Sequence, residues 1–129
     1  FIVGGQIKGK PMELFLIYPQ GNYIKPADSK PYLVIGEVKY GKPILDRVIT
    51  PKVSIGDASR CALISMDSTL KSDLTVGPPI DFAVIKKDQI KIASLKCLNM
   101  NDPEFSKVCN QWSQGIFKIF DSFQRFDWE

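Results

Sequence analysis

The 129-residue chain contains no histidine, and that absence limits its chemistry before anything else does. Without the commonest general base and transition-metal ligand, neither a Ser-His-Asp nor a Cys-His site can be built from these residues. The thiols are Cys61, Cys97 and Cys109. An odd count with no CxxC pair argues against a disulfide framework and against a structural zinc site. All three stand in apolar stretches, which predicts buried thiols in a reducing compartment. Asp73 follows a helical pattern and precedes a Gly-Pro-Pro break, so from the residues alone it reads as a helix-end acid in a turn.

Composition is globular, with 44% hydrophobic and 24% charged residues. A net charge of +3, with Lys8, Lys10, Lys39, Lys42, Lys86 and Lys87 scattered along the chain, does not make the clustered basic face of a nucleic-acid reader. No apolar run approaches the ~20 residues that span a bilayer. These features predict one soluble domain or most of one, with no nucleic-acid and no membrane partner. The chain opens on Phe1-Ile2-Val3-Gly4-Gly5, which reads like the inside of a strand, so upstream residues are expected in the natural protein.

The elements that would position such residues follow from periodicity. Residues 1–7 and 13–18 read as strands around a Gly9-Lys10-Pro11 turn, and Tyr23-Ile24-Lys25 as a shorter strand after Pro19-Gln20-Gly21-Asn22. A further extended segment, Tyr32-Leu33-Val34-Ile35, follows the 26–31 loop. Ile44, Leu45, Val48 and Ile49 share one face of a short helix over 43–49, with Pro43 in its first turn and Thr50-Pro51 ending it. A second helix over 56–71 has Ser54 as N-cap and Asp57 in its first turn. Its inner stripe is the small set Ala58, Cys61, Ala62 and Ser65, widened by Met66 and Leu70. The almost wholly apolar segment 80–85 predicts a strand covered on both faces. A Lys86-Lys87-Asp88-Gln89 turn then leads into an alternating strand over 90–98. Asp102 at an N-cap and Pro103 at N1 open a long helix with Phe105, Val108, Cys109, Trp112, Ile116, Ile119, Phe120 and Phe123 on one face. Sheet, helices, hairpin and helix in that order predict a layered α+β fold.

That order, together with Val3-Gly4-Gly5-Gln6-Ile7, Leu14-Phe15-Leu16-Ile17-Tyr18-Pro19-Gln20-Gly21-Asn22, residues 35–47 and residues 68–81, resembles the proteasome β-subunit family of N-terminal nucleophile hydrolases. The resemblance is strongest to its bacterial Anbu (ancestral β subunit) peptidase branch, and residues 122–129 look like the end of such chains. It implies a four-layer αββα sandwich of which residues 1–129 are the C-terminal portion of a single domain. It also implies a cytoplasmic, homo-oligomeric, threonine-type peptidase that cuts peptides or unfolded proteins. The nucleophile, its Lys and its Asp would then lie in an N-terminal half outside this chain, which would be its first partner. An amine base of lowered pKa needs no histidine.

Carried over residue by residue, the resemblance makes Asp73 a supporting acid near the nucleophile. Val76 stands where the family has a Ser, with Thr75 adjacent. It implies no required cofactor, and a cation held by the backbone carbonyls of Leu70, Asp73 and Val76. Gly36 falls at the oxyanion loop, where Ile35-Gly36-Glu37 departs from the family's Gly-Ser-Gly; Glu37 reads as an exposed acid. Two other readings stand beside this one: a non-catalytic ring-building subunit of the same fold, and a small adaptor domain of the longin or profilin kind. A sandwich cut in half would leave residues 80–85 on an open apolar face.

Overall fold

The computed structural model describes residues 1–89 and 91–128. Among these, the first sheet is an antiparallel meander of β1 (Ile2–Gln6), β2 (Met12–Ile17) and β3 (Tyr23–Ile24), in that order. Val3 lies opposite Phe15 and Ile17 opposite Tyr23. Partners across a ladder share a face, and Phe15 and Tyr23 meet edge to face at 5.3 Å between ring centres. The Lys25 ammonium sits 4.9 Å above the Phe15 ring and pairs with Glu13 at 2.5 Å.

The 32–35 segment is not a strand. It joins no ladder; Tyr32, Leu33 and Val34 are half-buried, and Leu33, Val34 and Ile35 line a cleft with the second helix. Side-chain burial against a helix replaces strand pairing here, which the alternation of residue types cannot distinguish.

Helix α1 (Lys42–Val48) has Pro43 in its first turn, and α2 (Ile55–Ser72) begins at Ser54, whose hydroxyl accepts the Asp57 N–H at 3.0 Å. The small-residue stripe does bring the helices close, but through one contact above all. Gly41 is buried where a Cβ would stand 2.8 Å from the Ser65 carbonyl and 3.0 Å from Thr69 Oγ1. Ala62 does not belong to the inner stripe: it is exposed, and the buried residues of α2 are Cys61, Asp67 and Thr69.

Strands β4 (Ile80–Ile85) and β5 (Ile92–Leu98) form an antiparallel pair. The expected start of β5 at Ile90 lies outside the described residues. Ile80 faces Leu98, and both pack with Phe105 (0% exposed) and Cys109 of α3 (Pro103–Asp121) in the core. Leu63, Met66 and Leu70 of α2 and Phe82 of β4 complete that core. Asp102 caps α3, accepting the N–H groups of Glu104 and Phe105, both at 3.0 Å.

Only one face of this pair is covered, not both. Asp81, Ala83 and Ile85, with Leu95 and Cys97 opposite the first two, are exposed, Leu95 at 68%. The expected open face is therefore present, and Cys97 lies on it, which corrects the expectation that all three thiols are buried. No helix among the described residues is long and apolar enough to cross a membrane.

Candidate functional site

Helix α2 ends where its side chains stop paying into the core, and the turn beyond it is held by one carboxylate. The Asp73 N–H still donates to the Thr69 carbonyl at 2.9 Å, but Asp73 itself is extended, with φ −131° and ψ 111°. Its Oδ1 accepts from the Thr75 N–H at 2.8 Å and from the Thr75 hydroxyl at 2.7 Å. This is an Asx turn with an added hydroxyl contact. Those two donors, with the Lys39 charge nearby, hold the Asp73 carboxyl below the usual carboxylate range. The Val76 N–H donates to the Asp73 carbonyl at 3.3 Å, which leaves that oxygen a second lone pair. Of the three carbonyl residues singled out above, Leu70 packs its side chain on the core while Asp73 and Val76 are half-buried in the turn.

Beside the turn lies a cleft of about 400 Å³ lined by the 33–37 segment, Gly41, Ser65, Met66, Thr69 and Val76. Gly36 stands in it at φ +78°, a left-handed conformation that favours glycine. Backbone N–H groups around such a residue can form an anion-binding concavity. Glu37 is half-buried and not the exposed acid expected: it lines this cleft, and its Oε1 accepts the Lys39 N–H at 2.6 Å within its own loop. The fold thus brings Gly36, Glu37 and Val76 to one cleft, while Asp73 and Leu70 stand outside its lining. Among the described residues no group of three or more Cys, Asp or Glu is arranged to hold a metal ion.

Two polar clusters were not legible as such. Asp46 on α1 accepts from Lys30 Nζ at 2.6 Å, the Tyr32 hydroxyl at 2.6 Å and Lys42 Nζ at 2.7 Å. The lysines and the phenol hold its carboxyl far below the usual range, while burial and the Asp46 contact push the Tyr32 phenol up. Between α2 and α3, Asp67 is 2% exposed and accepts from Lys71 Nζ at 2.8 Å; Lys71 also reaches Ser113 Oγ at 3.2 Å. Burial and the neighbouring Asp67 push the Cys109 thiol up to about 11. The i,i+4 spacings Lys42/Asp46 and Asp67/Lys71 were the available signals.

No family model and no curated protein matches the chain. Solved structures do. Over 98% of this chain, an Anbu (Gly-1) mutant from Hyphomicrobium sp. strain MC1 is 44% identical with a TM-score of 0.92, the match spanning 55% of that protein. Anbu (ancestral beta-subunit) from Yersinia bercovieri is 42% identical over 98% of this chain and 54% of its own, with a TM-score of 0.94. The Anbu complex from Pseudomonas aeruginosa, solved as a helical assembly, is 41% identical over 97% of this chain and 52% of its own, with a TM-score of 0.88. The α+β fold thus matches that of proteasome-like neighbours. Within that class its structural neighbours are Anbu, or ancestral β-subunit, proteins; the chain spans about half the length of the chains it matches and corresponds to a C-terminal portion of them.

Proposed function

We propose that the chain is the supporting half of a threonine-type peptidase subunit that hydrolyses peptide bonds of peptides or unfolded proteins inside a self-assembled ring or spiral. The observation that carries this reading is the 44% identity to an Anbu protein sustained over 98% of the chain. In this reading residues 1–129 are one portion of a single domain, and the nucleophile, its Lys and its Asp come from the other portion. The free α-amino group of the nucleophile serves as base, which suits a chain without histidine.

Asp73 is a positioning residue in this reading. Thr75, not Val76, supplies the hydroxyl beside it, and together they fix the turn against which the nucleophile's amine rests. The Gly36 N–H is the oxyanion donor. A cation on the carbonyls of Leu70, Asp73 and Val76 would stiffen the same turn; no cofactor takes part in the chemistry. The cytoplasm is the compartment that suits three free thiols.

The test is peptidase activity of the full-length subunit on unstructured peptides. Replacing the N-terminal Thr or Ser by Ala should abolish turnover while the fold persists. Undiminished turnover would refute the reading. One observation favours a second reading, a ring-building subunit without activity: the Asp73 carboxylate is already engaged by Thr75, and an apolar Val76 stands beside it. An N-terminal residue other than Thr, Ser or Cys in the mature protein decides for that alternative.

A further inference from the structure

We infer that the aromatic end of α3 and the tail behind it form an interface with a second copy of this chain. The inference rests on the homo-oligomeric part of the reading above and not on its peptidase part. Helix α3 has two unlike halves. Its first half puts Phe105 and Cys109 into the core. From Ile116 onward the large side chains face water: Phe117, Phe120, Phe123, Phe126 and Trp128 are between 63% and 79% exposed.

These side chains form a shaped surface. Phe120 and Phe123 meet edge to face at 6.5 Å, and Phe126 stacks on Trp128 at 5.0 Å. Phe120, Phe123 and Phe126 line one cleft of about 340 Å³ together with Asp121, Gln124 and Arg125. At these exposures the five aromatics present roughly 700 Å² of surface. A stable pair of proteins needs about 800 Å² from each partner, and a monomer rarely shows a contiguous apolar patch above ~600 Å². Ile116 and Ile119 bring the patch to the required size. Lys118 and Arg125 stand against Asp121, Asp127 and Glu129, a net charge of only −1 over residues 116–129, so two such surfaces repel little.

The patch also lies away from the other open surface. Helix α3 packs on the Ile80 and Leu98 face of β4–β5, whereas the exposed face carries Ala83 and Leu95. A layer that covers the latter stands across the sheet from α3. The Pseudomonas aeruginosa Anbu complex, 41% identical, was solved as a helical assembly, and such an assembly needs a repeated contact between copies.

The test uses the full-length protein in sedimentation velocity across a dilution series, compared with a Phe123→Ser/Phe126→Ser variant. Both residues lie beyond α3 and outside the core. The variant should associate about a hundredfold more weakly, with unchanged far-ultraviolet circular dichroism. With Trp112 and every tryptophan outside residues 1–129 replaced by Phe, Trp128 emission should shift to the red as the assembly dissociates. A variant that assembles as tightly as the parent overturns this interface while homo-oligomerisation stands. A parent that is monomeric throughout overturns both. If the variant does not fold, Trp128 decides alone: emission already shielded in the dissociated form would mean that another segment of the same chain covers the patch.

Discussion

The Gln6 carboxamide and Asp88 hold each other in both directions: Gln6 Nε2 donates to Asp88 Oδ1 at 2.8 Å, and the Asp88 N–H donates to Gln6 Oε1 at 2.7 Å. The same Nε2 donates to the Lys10 carbonyl at 2.8 Å. One side chain thereby ties the β1–β2 turn to the β4–β5 turn, where Asp88 sits at φ +61°. Gln6→Ala should lower stability by about 1–2 kcal/mol, since these bonds compete with water at a partly open site. Urea titration of the full-length protein reads this directly. An unshifted midpoint would show that the clamp orients the turns without stabilising them.

Gly41 and Gly56 should respond oppositely to alanine. A Cβ on Gly41 meets the backbone carbonyl of Ser65, which cannot move without bending α2, so Gly41→Ala should cost about 1–3 kcal/mol. Gly56 lies in the first turn of α2 with its nearest neighbour 3.9 Å from a built Cβ. Gly56→Ala should therefore stabilise by up to about 1 kcal/mol through helix propensity. Thermal melting of both variants checks the pair. Equal shifts would mean that α1 yields at Gly41.

Asp46 should shape the acid limb of the stability curve. Its folded pKa lies below the ordinary 3.8, so at low pH the unfolded chain binds the extra proton. Its stabilisation is complete above roughly pH 5 and drains away as pH falls below 4 toward the folded pKa. Asp46→Asn should flatten that part of the curve and leave the neutral-to-acid slope above it unchanged. An identical acid limb in the variant would assign the acid sensitivity to other carboxylates.

The thiols should separate by kinetics. Cys97 is exposed on β5, whereas Cys61 and Cys109 are buried, with Cys109 pushed up to about 11. Alkylation of the chain with its β4–β5 face open should give one fast thiol, lost in Cys97→Ser, and Cys109 slower by about a hundredfold or more. Slow labelling of Cys97 in the full-length protein, with fast labelling after mild denaturation, would show that the open face has been covered.

Helix starts were legible because they are local. Ser54 and Asp102 each satisfy N–H groups two or three residues ahead, so residue type and spacing suffice. The Tyr32-to-Ile35 segment was misread because its apolar run suits a ladder and a helix-facing loop equally. Asp67 was missed for a related reason: one turn of α2 carries both Met66 and Asp67, and only the position of α3 decides that the carboxylate is enclosed. Cys97 and Ala62 looked inward by composition, but the register of β5 puts Cys97 on the open face and Ala62 borders the open cleft beside the 33–37 segment. Asp73 was placed correctly in a turn, while its tie to Thr75 depends on a χ angle no sequence pattern specifies.

The uncovered face of β4–β5 makes the stability of this fold a matter of company. Ala83, Ile85 and Leu95 lose their contact with water only when something lies across them. In the reading above the cover is another portion of the same domain, so its docking and the folding of this segment form one cooperative step. A substitution that weakens this docking would leave those side chains in water and hand the subunit to chaperones and proteases.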